Sequence, residues 1–582
     1  MNTYIIDIEA DSLTPSVIWV VGLQQVGKEE TEVFLQPTEF LQRVDIDNDI
    51  FVAHNGIDYD FPAIKDLWGI ELKNVRDTLV MSRLFQPDRE GGHSLRAWGE
   101  RLEKGYNGIV HDIPKLEFSR FDKLSDEMIE YCKRDVQITC EIYLLLKYIE
   151  GTDFSEESIQ LEHEIASIVT EQSRYGFYLN QKKAIDLMYE TQSKADCIRD
   201  NVQKYFPPKV RVLRTDLPKY RKDGTLSKVG IQDFNMDDVC GNFWKIAFEK
   251  FNPASHKQVV ERMDEAGWEP VEFTPKGAPK VNEANLATLP ETAPEAARKL
   301  SEWKMLETRW KTVESWLHAL GSDGRVHGKV FSMGAVTGRM THATPNMANI
   351  VSVYKPYGKK SRECWTVPND NYRICGMDAQ GLELRMLAHY MNDKEYAEEV
   401  VNGDPHSVTM KALGIDDRAM AKTFIYAFLY GASALKLSSI LNVSMWNRDR
   451  IKKRFLNNMP SLQSLLTKVE TVANRGYVRG IDGRRLYVRH AHAALNTLLQ
   501  GGGAILCKKW SICMDRAIRK EKLRANLVNT VHDELQFEVH KEDAERMTEL
   551  SQLTIREAGR SLGLRVPMDA ESKIGFSWAD TH

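Results

Sequence analysis

The chain has 582 residues, 42% hydrophobic and 28% charged, the balance of a soluble globular protein of roughly four domains at about 150 residues each. Its 78 basic and 83 acidic residues give a net charge of −5, which leaves a nucleic-acid partner open, since cations need only line a groove. The longest apolar run, Val17 to Leu23, is too short for a bilayer. The N-terminus has no secretory pattern, and eight scattered cysteines without a Cys-x-x-Cys spacing argue for a reducing cytosol, against a disulfide framework or zinc ribbon.

Strands are predicted over 4–8, 16–21 and 31–35, followed by helical patterns to about residue 150. Between two of these strands, Gly22-Leu-Gln-Gln-Val-Gly27-Lys28-Glu29 imitates a phosphate-cradling loop. Glu29 stands where the magnesium-binding hydroxyl belongs, and no helix N-terminus follows, so a hairpin turn is predicted. Ser155 reads as the N-cap of a helical stretch over 156–205. Lys204 to Lys228 carries eight cations against two acids and is interrupted by Pro207, Pro208 and Pro218, so an exposed loop or small insertion is predicted. A long helix is predicted over 293–320, and strands, helices and Gly turns alternate thereafter.

Two constellations carry chemistry. In the first, Asp7 and Glu9 alternate along a strand and share a face. Asp60 precedes a helix start at Phe61-Pro62, and Tyr131 and Asp135 lie four apart on a helix. Clustered carboxylates suit hard divalent cations that clamp a phosphodiester from both sides. Singly, an Asp-x-Glu at a strand end is usually a solvated edge; the ordered set is specific. In the second, Asp378 ends a strand in Arg373-Ile-Cys-Gly-Met-Asp378-Ala-Gln-Gly-Leu-Glu383, and His532-Asp533-Glu534 tops a hairpin over 527–539. Alone that tip reads as a polar turn. With Asp378 it supplies the carboxylates of a two-metal nucleotidyl transfer. Between them Arg418, Lys422, Tyr426 and Tyr430 recur every four residues, a slowly winding stripe of two cations and two aromatics suited to a triphosphate, a sugar and a base.

These residues resemble family A DNA polymerases of the bacterial polymerase I type, in the subgroup of T-seven-like podophage replicative polymerases. Gly334-Ala-Val-Thr-Gly-Arg339, Asn402-Gly-Asp-Pro-His406, Asp482-Gly-Arg484 and His492-Ala-Ala-Leu-Asn496-Thr-Leu-Leu-Gln500 extend the likeness over nearly the whole chain. The first constellation resembles the Tyr variant of the DEDD exonucleases, whose pattern selects Asp60 over Asp58. The resemblance implies an α/β multidomain right hand with an N-terminal RNase H-like 3′→5′ exonuclease. The exonuclease is expected at 1–150, the thumb at 151–325 with a short basic insertion near 204–250, the palm at 326–408 and 490–582, and the fingers at 409–489.

The resemblance also implies roles. Asp378 and Asp533 hold two Mg2+ ions, which Mn2+ can replace, with Glu534 in support. Arg418, Lys422 and His406 grip the phosphates, and Lys422 offers a proton to pyrophosphate. Tyr426 lies over the sugar, where Glu383 blocks a 2′-hydroxyl and accepts a hydrogen bond from Tyr426. Tyr430 stacks near the templating base, Arg339, Asn496 and Gln500 touch the minor groove, and His532 lies beside the primer end. Asp7, Glu9, Asp60 and Asp135 hold two further ions for proofreading, with Tyr131 orienting water. Gln380 stands where the subgroup usually has Ser, with little effect expected on metal binding.

The implied partners are primer–template DNA, dNTPs, a phage helicase–primase and a single-strand-binding protein, around a monomer in the cytoplasm of an infected cell, with no membrane. The 204–251 window is short for the thioredoxin-binding insertion of the subgroup, which leaves host thioredoxin open, and its basic part is expected to contact DNA upstream of the primer end. A single-subunit phage RNA polymerase shares the palm carboxylates and the 418–430 stripe. Against it stand Glu383 and the N-terminal constellation. A nuclease with a DNA-binding C-terminal half is opposed by the Asp378/Asp533 pair, and a replisome scaffold has no positive feature.

Overall fold

Alternating apolar residues in Tyr4-Ile-Ile-Asp-Ile build the first strand of the computed structural model, which describes residues 1–106, 115–216, 220–225, 243–443 and 448–582. That strand, β1 (Thr3–Ala10), runs antiparallel to β2 (Ile18–Gln25), which pairs with β3 (Thr31–Phe34). On its other side β1 is parallel to β4 (Ile50–Ala53), and β4 to β5 (Asn74–Asp77), giving the order β3-β2-β1-β4-β5. The Gly22–Glu29 segment is the end of β2 and a turn, with no helix after it. Gly22 has a packing role instead: a Cβ there would lie 2.9 Å from Cys132 Sγ. Its absence lets a long helix lie directly on the sheet. Among the helices on this layer are the single turn α1 (Asp60–Ala63) and the long α2 (Asp126–Tyr148), whose N-cap Ser125 accepts from Met128 N.

The chain divides into two units, Met1–Leu179 with Ala319–His582, and Asn180–His318. This moves one expected boundary: residues 151–179, assigned above to the thumb, belong to the first unit. The reason is α3 (Glu156–Tyr175). Its Leu161, Ile165 and Val169 share a buried cluster with Ile505 and Ile512, and its Glu162 is fully buried against Arg484 and Lys508. The helical stretch predicted over 156–205 is therefore two helices, broken at Gly176, whose φ of 74° ends α3.

In the second unit α4 (Gln181–Tyr205) and α5 (Glu295–His318) pack along each other. Part of the basic stretch predicted as loop is a strand. β6 (Lys209–Asp216) pairs antiparallel with β7 (Phe243–Glu249), placing Val210 opposite Phe248 and Val212 opposite Ile246. β-branched and aromatic cross-strand pairs override the Pro-rich, charged context. Pro218, Lys219 and Lys228 of that stretch lie outside the described residues.

The rest of the first unit is built on an antiparallel sheet of β8 (Tyr372–Ala379), β9 (Ala525–Val531), β10 (Glu534–His540) and β11 (Ala570–Gly575), in the order β9-β10-β8-β11. Helices α6 (Leu382–Met391), α7 (Pro405–Leu413) and α8 (Arg418–Leu429) follow β8, and α9 (Ala494–Glu521) and α10 (Ala544–Ser561) flank the hairpin β9–β10. Trp510 on α9 is fully buried and donates its indole N–H to Ser551 O of α10 at 3.2 Å. Close approach matters at Gly502, where a Cβ would meet Met386 of α6 at 2.4 Å. None of the described helices is long and apolar enough to cross a membrane.

Candidate active sites

β8 sits between two strands that each bring a carboxylate into register: Asp378 lies opposite Glu534 of β10 and Glu571 of β11. The β9–β10 turn adds Asp533, whose carbonyl accepts from Ala379 N at 3.0 Å, locking the hairpin tip to the end of β8. His532 makes that turn with a left-handed φ of 56°. Burial, then Asp533, Glu534, Glu571 and Glu383, push the Asp378 carboxyl up to about 7. Burial and Glu383 push Asp533 up to about 6. Like charges held this close call for a cation, and an all-oxygen donor set fits a hard divalent ion. Glu534 differs. Burial raises it, but His582, Arg362 and the Trp578 indole outweigh burial and hold it below its ordinary value. Its Oε1 accepts from Trp578 Nε1 at 2.5 Å. It is thus a tethered anion behind the open pair.

α8 presents the predicted stripe along this mouth. Arg418 is exposed and bonded to Asp404 at 2.8 and 3.0 Å, while Lys422 is also exposed. Asp404 caps α7 and accepts from His406 N, which fixes His406 near Arg418 and Lys422. The buried His406 Nδ1 has no hydrogen-bond partner, and its ring centroid is 6.2 Å from that of the half-buried Tyr426. One turn on, Tyr430 follows the last residue of α8 and donates to Glu383 Oε1 at 2.9 Å. The hydroxyl expected on Glu383 from Tyr426 thus comes from Tyr430, because Gly431, at φ 76°, ends the helix and exposes Tyr430 beside α6. Arg339 leaves a tight turn closed by Gly334 N and Ala335 N on its carbonyl, and its charge reaches Tyr430, His532 and Asp533. Asn496 and Gln500 are half-buried, one turn apart near the start of α9.

The second site is on β1. Asp7, Glu9 and Cys132 of α2 place potential ligand atoms within 4.8 Å of one another. Asp60 opens α1 and accepts from Ile8 N at 3.1 Å, tying its carboxylate to the same strand. Burial, then Asp60, Glu9 and Asp135, hold Asp7 far above the ordinary carboxylate range. Burial and Asp135 push Glu9 to about 8, and burial lifts Asp60 to about 7. Four carboxylates repelling one another form a hard-ion donor set, and the buried Cys132 thiol donates to Asp7 O. Asp58 is elsewhere, paired with Lys329 Nζ at 2.5 Å. Tyr131 and Asp135 share one face of α2 and meet a cation absent from the sequence reading: Lys115 Nζ lies 2.9 Å from the Tyr131 hydroxyl and 2.6 and 2.5 Å from the Asp135 oxygens. A cleft of about 930 Å3 opens there, lined by Phe118, by the cations Arg96, Arg120 and Lys123, and by Glu100, Glu103, Glu117 and Glu127. Lys115 lies in an aperiodic segment without secondary structure, so spacing could not find it. Glu571 likewise needed the strand pairing.

Residues 233–580 match the description DNA polymerase family A. The DNA-directed DNA polymerase of Enterobacteria phage T3 is 30% identical, over 92% of this chain and 92% of that protein. That of Escherichia phage T7 is 31% identical over 99% of each. A solved structure, the POL domain of Pol1 from M. smegmatis in complex with DNA primer-template and dNTP, has a TM-score of 0.77 at 18% identity, covering 100% of this chain and 96% of that one.

Proposed function

The chain belongs to DNA polymerase family A and is a DNA-directed DNA polymerase; on that premise we propose that it extends primers at Asp378 and Asp533 and excises mismatched ends at Asp7, Glu9, Asp60 and Asp135. The observation that carries the reading is the Asp378/Asp533 pair, with both carboxyls raised, near a helix whose Tyr426 feels Asp533 and Glu383 and whose Arg418 and Lys422 are exposed. Two Mg2+ ions held by Asp378 and Asp533 would activate the primer 3′-hydroxyl and offset the triphosphate charge.

The protein groups do the rest. Arg418 exchanges Asp404 for the triphosphate, a more highly charged acceptor for the same guanidinium fork. Lys422 and His406 complete that grip, and Lys422 protonates the departing pyrophosphate. Tyr426 covers the sugar, with Glu383 against the 2′-position. Tyr430 stacks by the templating base, and His532 lies beside the primer end. Arg339, Asn496 and Gln500 check the minor groove, whose acceptors are equivalent in every correct pair. In the N-terminal site, which we assign to an RNase H-like exonuclease, the four carboxylates would hold two further ions, and Tyr131 would orient the attacking water. Phe118 in the neighbouring cleft offers a face on which a base of a frayed single strand stacks.

Primer extension and mismatch excision, followed with dNTPs and with NTPs, test this assignment. Asp378→Asn or Asp533→Asn is expected to abolish extension and leave excision. Asp7→Ala with Glu9→Ala is expected to do the reverse. Extension near the wild-type rate in either palm variant overturns the assignment, and preference for NTPs favours an RNA polymerase.

A further inference from the structure

We propose that Lys115 is a positioning residue of the excision site, one that aims the Tyr131 hydroxyl and holds Asp135; this rests on reading the N-terminal carboxylates as an exonuclease. An ammonium group has three N–H donors and no acceptor. The three short contacts of Lys115 Nζ use all of them: one to the Tyr131 hydroxyl oxygen and one to each Asp135 oxygen. The phenol oxygen is therefore an acceptor towards Lys115, and its own proton points elsewhere. The neighbouring groups on that side are Asp135 and Glu9, both felt by the Tyr131 phenol. Lys115 Nζ also lies 4.3 Å from the Tyr131 ring centroid, so the ring is fixed from its face and its tip.

Charge explains why a cation belongs there. Asp7, Glu9, Asp60 and Asp135 carry four negative charges when ionised. Two divalent ions balance them, leaving nothing for the phosphodiester that must enter. Lys115 supplies one further positive charge, which matches the one negative charge of a phosphodiester. The group is only 18% exposed, so solvent screens it weakly. A blocking role would require Lys115 to occupy the cluster of Asp7, Glu9 and Asp60. No hydrogen bond joins Lys115 to those three among the described contacts; its partners are Asp135 and Tyr131 at the cluster's edge, next to the 930 Å3 cleft.

Lys115→Ala and Lys115→Arg, made in the full chain, test the assignment. Three measurements are taken: single-turnover excision of a mismatched primer end, affinity for oligo-dT in EDTA, and extension of a matched primer. Partners that orient a metal-binding carboxylate typically contribute about 10–100-fold to activity. Lys115→Ala is expected to slow excision by that factor while extension and oligo-dT affinity hold, and Lys115→Arg is expected to recover most of the rate. Unchanged extension shows that the protein is folded. Excision by Lys115→Ala at or above the wild-type rate overturns the proposal, a gain pointing to a blocking lysine. An equal loss in oligo-dT affinity also overturns it, making Lys115 a strand-binding cation. If Asp7→Ala with Glu9→Ala excises like wild type, the exonuclease reading falls and takes this proposal with it. If that control is dead and Lys115→Ala is fully active, only this proposal falls.

Discussion

Tyr430 holds Glu383 through a 2.9 Å hydrogen bond, while Tyr426, one turn earlier, is half-buried beside His406. The two phenols therefore have separable effects. A hydrogen bond to a charged group contributes about 1.5–3 kcal/mol, roughly 10- to 150-fold in an equilibrium. Tyr430→Phe frees the Glu383 carboxylate proposed to close the 2′-side of the sugar. The ratio of dNTP to NTP incorporation should fall, by up to about tenfold, because Glu383 keeps its place on α6. Tyr426→Phe should act on the 3′-side. A dideoxynucleotide lacks the 3′-hydroxyl that contacts its own phosphate, and with Tyr426 over the sugar, as proposed, its hydroxyl would replace that contact. The wild type should accept dideoxynucleotides well, and Tyr426→Phe should reject them roughly 10- to 150-fold more strongly. Incorporation ratios measured in both variants decide the matter, and an unchanged dideoxy ratio in Tyr426→Phe would remove the hydroxyl from the account.

At the level of elements, the hub is Glu162 of α3. It meets Lys508 of α9 and Arg484 of the turn over 481–484, where all three side chains are buried, and Asp482 completes the group at 2.6 Å from Arg484. Burial depresses Lys508 to about 8, whereas Asp482 and Glu162 outweigh burial and raise Arg484. Removing one member of a buried network leaves uncompensated charge, at a cost of about 3–5 kcal/mol. Glu162→Ala should therefore lower stability by that amount in denaturant melts. Replacing Glu162 together with Lys508 by Leu should cost less than the single change, since no lone ammonium remains. The sequence offers Asp482-Gly-Arg484 as a motif but not its partners Glu162 and Lys508, which lie far from it in the chain. By contrast, Asp7 and Glu9 were legible through strand alternation, and Arg418 to Tyr430 through a four-residue recurrence. The β6 strand was hidden because prolines and charges mask the Val210–Phe248 and Val212–Ile246 pairs, which exist only across the ribbon. The break at Gly176 was hidden because helical periodicity resumes immediately after it.

Across the whole molecule, two sets of titratable groups, carboxyls crowded against one another and buried histidines, pull stability in opposite directions with pH. Burial and mutual repulsion raise Glu9 to about 8, Asp60 and Asp378 to about 7 and Asp533 to about 6. Unfolded, these carboxyls titrate near pH 4. Between about pH 4 and pH 8 the folded state thus binds more protons than the unfolded state, and stability falls as pH rises. The histidines act oppositely. Burial depresses His54 to about 3 and His163 and His342 to about 4, so the unfolded state binds more protons below about 6.5. Their contribution grows as pH rises to that point and is then flat. A single melt therefore mixes both, and a difference is needed. Glu9→Gln with Asp378→Asn removes two of the raised carboxyls and leaves the histidines. In EDTA this variant should melt with wild type near pH 4 and a few degrees above it at pH 8. Magnesium should then raise the melting temperature of wild type more than that of the variant, because cations bound by the ionised carboxylates offset their repulsion. Wild type and variant melting in parallel from pH 4 to pH 8 would mean that these carboxylates are not strained against one another. The divalent-ion assignment at both sites would then lose its electrostatic basis.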